Sequence, residues 1–365
     1  MNAVTQTLDS YFEILDPHIK PSLISAEYVS AIRRVAGLFP TFVPNVFGFE
    51  SRLNNNSSRT DFAINMTAKG SELLAWKLFD QSQPEVFRQD ERWKRVSHFF
   101  QEWGKTNSSP FADANSVWLE FDMDRLSAAQ LVPSVVLFAY WLDSFNSKMV
   151  VQRPLNWLTG TILPILRGAA LPDYLERNFL QCIELAMPSL YFQVGSMLSR
   201  NIDVLRLCIF NITGDEITSF LSRIGVEECL AEIEQALADF AGLVDSLCLH
   251  MDIGEVIYPR IGIELLYDNL HPWKRQPNKE TRWFQLFDKL VERGLCTPEK
   301  QEALLAWTGY VPITQSSGGQ ELNSMSDGLL LRGLQHIKLV FSPNQPPEAK
   351  AYFGAGFNPI PSKRA

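Results

Sequence analysis

Four carboxylates (Glu50, Glu120, Asp122 and Glu264), two histidines (His250 and His336) and three cations (Arg206, Arg260 and Lys338) stand at alternate positions in strand-like stretches of this sequence. Neighbours along a strand point to opposite faces, so these side chains share one face of whatever sheet the strands build. A carboxylate set against a histidine or a cation can act as base and acid about a substrate, a role worth about 10² to 10⁴ in rate. The competing account is a lattice of structural ion pairs, because isolated charges are too costly to bury without partners. Glu50, Glu120, Glu264 and His250 are the candidate catalytic groups.

Several other chemistries are excluded by what the chain lacks. There is no DDxxD aspartate cluster, no GxxxxGK[ST] phosphate loop, no GxGxxG after a strand and no GxSxG elbow. His250 and His336 lie on different strand pairs, and CLHMD has no partner at metal-ligand spacing in its own element, so no zinc site is expected. The five cysteines are an odd set without CxxC spacing, which points to buried free thiols. A net charge of −8 with no basic stripe disfavours nucleic acid as a partner. The opening MNAVTQTLDSYFEILDPHIK has no basic-then-apolar layout, and no apolar run approaches the roughly 18 residues of a membrane span, so a soluble, cytoplasmic protein is expected.

The elements that must position the charged face come in a regular order. VPNVFGFESRL (43–53) and TDFAINMT (60–67) alternate apolar and polar residues about the turn-rich NNNSSR, a hairpin signal. Apolar residues at three-to-four spacing then mark helices in SELLAWKLFDQ and PEVFRQDERWKRVSHFFQEW. The pattern recurs: strands at 117–123 and 133–141, at 189–197 and 204–213, and at 246–254 and 258–268 are each followed by helical stretches. A last pair at 334–342 and 348–354 closes the series, giving about ten antiparallel strands. The polar stretch 313–328 reads as a disordered surface loop, with a lid at the barrel mouth as the alternative. With 365 residues, 46% hydrophobic and 20% charged, the chain is expected to form one α+β domain over 1–365, with helices in 1–40 and a frayed tail over 356–365.

One strand face is greasy, carrying Phe47, Phe49, Phe62, Ile64, Phe121, Ile209, Leu249, Ile263, Leu339 and Phe353, and must be covered by the helices. The other is polar yet holds Trp118, Tyr191, Cys208, Phe210, Cys248 and Tyr352. An open sheet would give that face to bulk water. A twisted sheet of about ten strands tends to curl and close, which removes its edges and makes the polar face a lumen. The expected architecture is a ten-stranded antiparallel β-barrel with a polar lumen, ringed by α-helices.

This order of elements resembles the ABBA aromatic prenyltransferases, the PT-barrel family that includes dimethylallyltryptophan synthases. The stretch GFESRLN is similar to the early strand that supplies their proton-accepting glutamate, and the resemblance nominates Glu50 for that role. It further implies a prenyl diphosphate co-substrate cradled by Arg206, Arg260, Lys338, Lys350 and Tyr352, with Trp118 and Tyr191 shielding a carbocation through their π faces. No other cofactor is implied. The sequence departs from the family where Asp61, Ala63 and Asn65 replace an expected arginine strand, where Ser134, Val136 and Phe138 replace a lysine and a tyrosine, and again at Cys208, Phe210, Gly262 and Glu264. Three activities therefore stay open: prenyl transfer to an aromatic small molecule or peptide, acid/base cyclisation or isomerisation without a prenyl donor, and binding of a ligand or leader peptide without turnover.

Overall fold

The computed structural model describes residues 7–41, 44–55, 57–67, 85–104, 116–124, 132–140, 155–186, 191–200, 202–268, 272–313 and 327–360. Eleven strands are present among them. These are β1 (Pro44–Arg52), β2 (Thr60–Thr67), β3 (Ser116–Phe121), β4 (Ser134–Tyr140), β5 (Tyr191–Ser196), β6 (Leu205–Ile212), β7 (Ser246–Ile253), β8 (Ile261–Leu266), β9 (Gly309–Ile313), β10 (Gly328–Ser342) and β11 (Gln345–Pro359). β1 to β8 pair in sequence order, β8 pairs with β10, β10 with β11, and β11 with β1. All pairings are antiparallel, so ten strands close into a ring and the open-sheet alternative falls away.

The helical stretches read from the sequence are found where they are described: α1 (Asp9–Leu15), α2 (Ala26–Ala36), α3 (Glu85–Gln89), α4 (Glu91–Gly104), α5 (Leu163–Arg167), α6 (Asp173–Ala186), α7 (Gly214–Arg223), α8 (Leu230–Asp239), α9 (Arg282–Glu292) and α10 (Pro298–Trp307). Local chemistry fixes their starts. Thr213 and Glu216 form a reciprocal capping box at α7, and Thr297 followed by Pro298 begins α10. SELLAWKLFDQ lies outside the described residues. No helix among the described residues is long and apolar enough to cross a membrane.

The greasy strand face is the core. Phe47 and Phe49 of β1 and Phe62 of β2 are buried against Phe12 of α1, Phe49 and Phe353 of β11 against Trp307 of α10, and Phe121 of β3 against Phe39 and against Trp93 of α4. The Phe49 and Phe353 rings lie 5.3 Å apart, and Trp307 Nε1–H donates to the Gly354 carbonyl at 3.1 Å. With one face covered in this way, the opposite side chains of the same strands have only the interior of the ring to point into.

Two expectations need correction. β10 begins at Gly328 and β11 runs to Pro359, so residues 356–359, expected to fray, are paired instead with Gly328–Leu331. β9 was not foreseen, and it pairs only with the first part of β10, outside the ring. The apolar run Leu329–Leu331 shows no alternation of apolar and polar residue types, although its burial alternates, because this part of the ladder lies beyond the ring and lines no part of the cavity. The stretch 313–328 is thus strand at both ends, and its interior, 314–326, lies outside the described residues.

Candidate active site

The lumen contains a cavity of about 230 Å³. Among the proposed site residues, Glu50, Trp118, Glu120, Arg206, His250, Arg260, Glu264, Lys338, Lys350 and Tyr352 line it. The Tyr191 side chain lies outside the described residues. Arg260 stands at the rim, 43% exposed, with Nη2 3.8 Å from Glu348, whereas the others project from strand interiors.

Glu50 is clamped from the neighbouring strand. It pairs with Tyr352 in the β1–β11 ladder, and both the Lys350 ammonium and the Tyr352 hydroxyl donate to its carboxylate. Burial alone would push this carboxyl up, but the charges of Lys350 and Lys338 and the two donated hydrogen bonds outweigh it and hold Glu50 well below the usual carboxylate range. Burial and the Glu50 charge push the Tyr352 phenol far up, so it remains a donor. His336 stacks on the Tyr352 ring at 4.2 Å between centroids.

A second cluster crosses β6 and β7. Arg206 and Asp252 are ladder partners and form a two-pronged pair at 2.8 and 3.0 Å. Arg200, in the β5–β6 turn, lies 3.4 Å from Asp122 and 3.7 Å from Asp252, and Ser199 donates to Asp122 at 2.5 Å.

The third cluster spans β7, β8 and β10. His250 Nε2 lies 2.8 Å from Glu264 Oε1, and His336 Nε2 lies 3.2 Å from the same oxygen. Lys338 Nζ approaches His250 Nδ1 at 2.7 Å, and Cys208 Sγ is 3.1 Å from that nitrogen. Burial holds His250 down at about 4 against the pull of Glu264, so its imidazole is neutral at neutral pH. Burial opposes the Glu264 charge, but the two imidazoles facing it keep its carboxyl well below the usual range. The Cys208 and Cys248 thiols are pushed far up by burial and stay protonated.

Two carboxylates lack such support. Burial raises Glu120, with Arg206 pulling it only partly back. Burial and the charges of Glu50 and Asp122 push Asp61 up to about 6, although its Oδ1 accepts the Met123 backbone N–H at 2.9 Å. A carboxyl raised above its unfolded value near 3.8 stabilises the fold below that value and loses the contribution as pH climbs through about 6. Asp61→Asn keeps the acceptor oxygen for Met123. It is expected to match the parent protein near pH 4 and to exceed its stability by about 1–3 kcal/mol near pH 7.5, read by urea unfolding at both ends of that range.

Neither Asp61 nor Asp252 has a role legible in the sequence, and the register supplies what spacing could not: Asp61 opposes Glu50, and Asp252 opposes Arg206. Arg200 had no signal, since it sits in a turn where alternation says nothing. Among the described residues, five lysines and arginines face six aspartates and glutamates around the cavity.

With this geometry established, comparisons bear on the fold. No family model matches the sequence, and no curated protein does. Among solved structures, the prenyltransferase PriB in ternary complex with L-tryptophan and dimethylallyl thiolodiphosphate aligns over 98% of this chain and 97% of its own, at 12% identity and TM-score 0.50. PriB in its apo form aligns over 95% and 94%, at 10% identity and TM-score 0.50. The 5-dimethylallyltryptophan synthase from Streptomyces coelicolor aligns over 94% of both chains, at 11% identity and TM-score 0.47. The fold is that of the ABBA aromatic prenyltransferases, a closed ten-stranded antiparallel barrel.

Proposed function

We propose that the chain is an enzyme that transfers a prenyl group from a prenyl diphosphate to an aromatic acceptor, a small molecule or a peptide side chain, inside the lumen. The observation that carries this reading is the ionised Glu50 held toward the cavity between Lys350 and Tyr352. The allylic C–O bond breaks to give a carbocation and diphosphate. A ring carbon of the acceptor attacks the cation, and the ring proton passes to Glu50. An arenium ion is so strong an acid that a carboxylate held low still accepts its proton, and in the ground state Glu50 can accept a hydrogen bond from the acceptor's N–H or O–H. Arg206, Lys338, Lys350 and Tyr352, with Arg260 at the rim, would receive the diphosphate, and Trp118 would face the cation. PriB, which shares the fold, holds L-tryptophan and a diphosphate analogue together.

A second reading has its own observation. Lys350, Arg206 and Lys338 already face Glu50, Asp252 and Glu264, and among the described residues cations do not outnumber carboxylates around the cavity. A diphosphate needs dense positive charge to leave as an anion. That balance favours an acid/base enzyme, a cyclase or isomerase using Glu50 and Asp61 without a prenyl donor.

Titration calorimetry with dimethylallyl thiolodiphosphate, followed by incubation of labelled dimethylallyl and geranyl diphosphates with indoles, phenols and Trp- or Tyr-containing peptides, separates the two. Prenyl transfer predicts saturable analogue binding and a labelled product. Neither binding nor product would reject it in favour of the second reading.

A further inference from the structure

We propose that the β7–β8 wall of the lumen is a zinc site made by Cys248, His250 and Glu264, with its fourth coordination position open to the cavity. One ligand atom from each of these three residues lies within 4.8 Å of the other two. The ladder itself brings them together. Cys248 and His250 are two apart on one face of β7, and Glu264 is the β8 residue directly opposite Cys248. The imidazole supplies an independent sign. His250 is only 8% exposed, and its Nε2 makes no hydrogen bond among the described residues, although Glu264 Oε1 is 2.8 Å away. His336 Nε2, 3.2 Å from the same oxygen, is likewise buried without a hydrogen bond among the described residues. Two imidazole nitrogens converge on one buried carboxylate oxygen, and the Cys248, His250 and Glu264 donor atoms surround a common centre.

The donor set selects the metal. One thiolate, one imidazole and one carboxylate match zinc, with bonds of about 2.0–2.3 Å, whereas magnesium and calcium require oxygen ligands. His250 Nδ1 faces Cys208 Sγ at 3.1 Å and Lys338 Nζ at 2.7 Å. In the metal-free protein the Lys338 ammonium donates to Nδ1, which leaves the ring proton on Nε2. Zinc takes the Nε2 lone pair, the ring proton moves to Nδ1 and turns toward Cys208, and Lys338 is released toward the lumen. The Cys248 thiol loses its proton to solvent as the Zn–S bond forms. One dication therefore replaces one proton, so the lumen gains a net positive charge and a freed lysine.

The site stands on its own geometry; only the use of its open position, to take a diphosphate oxygen, rests on the prenyl-transfer reading. Metal binding is therefore measured without substrate. Full-length chain stripped with chelator is loaded with zinc, desalted and assayed for metal, and a parallel sample is loaded with cobalt(II) for absorption spectroscopy. The expected result is about one zinc retained per chain and a cobalt spectrum with a thiolate charge-transfer band and tetrahedral d–d bands. Both should be lost in Cys248→Ser and His250→Asn and kept in Cys182→Ser, whose thiol lies in α6 away from the lumen. If the serine variant fails to fold, X-ray absorption at the zinc edge of the parent protein, showing one sulfur ligand at about 2.3 Å, gives the same answer. No retained zinc, a cobalt spectrum without a thiolate band, or a spectrum unchanged in Cys248→Ser would overturn the site and leave the prenyl-transfer reading to its own assay.

Discussion

Glu50→Gln is expected to lower the rate of product formation by about 10² to 10⁴-fold while the diphosphate analogue still binds. The amide keeps the size of the side chain and an oxygen that can accept from Lys350, but it cannot take a proton from the ring. The loss should therefore fall on kcat, with the acceptor KM moving less, since only the step after C–C bond formation needs the charge. Circular dichroism and the analogue's affinity report whether the barrel persists, because the substitution also leaves Lys350 without its carboxylate. Tyr352→Phe supplies the contrast. It removes a donor to Glu50 but leaves the carboxylate charged, so activity should survive far better than in Glu50→Gln. If Glu50→Gln turned over at the parental rate, proton acceptance would belong elsewhere, with Asp61, across the β1–β2 ladder, the next candidate.

Much of this lumen could be read from alternation alone, because a barrel wall one strand thick imposes period two on every segment that lines it. Phe49 and Glu50, Leu207 and Cys208, and Leu249 and His250 sort to opposite faces for that reason, and the first of each pair is buried in the outer core. Alternation of residue type fails where the ladder leaves the ring. Leu329–Leu331 lines no part of the cavity, and β9 covers only that part of β10, so neither carried a strand signature. Pairing is the other blind spot. The sequence places Cys248, His250 and Glu264 on one face, but only the β7–β8 register makes Cys248 and Glu264 direct neighbours, and no spacing rule within CLHMD could report it. The same holds for the Arg206–Asp252 fork and the Glu50 clamp, whose members are 46 and 300 residues apart. The charges were legible one by one. Their cancellation, which decides how readily a diphosphate is accepted, is a property of the closed ring.

That cancellation leads to a large expected stability effect. Lys350→Met removes the cation from a buried pair and leaves the Glu50 carboxylate with the Tyr352 hydroxyl and the more distant charge of Lys338. Breaking such a pair costs about 3–5 kcal/mol when both groups are fully desolvated; the Glu50 side chain keeps 22% exposure toward the lumen, so the lower end, about 3 kcal/mol at neutral pH, applies. The sign with pH follows from the direction of the shift. In the parent protein Glu50 is held below its ordinary 4.5, so its contribution is present above that value and is lost only as pH falls through the depressed one. Without Lys350 the carboxyl rises and takes a proton at higher pH, which relieves the uncompensated charge. The deficit should therefore be largest at neutral pH and shrink as pH falls toward about 4, measured by urea unfolding of both proteins. Adding Glu50→Gln to Lys350→Met removes the stranded charge as well, and the double variant should recover a large part of the loss at neutral pH. A deficit that stayed constant with pH, or a double variant no more stable than the single, would mean that packing of the lysine stem, and not its charge, is what β11 contributes to β1.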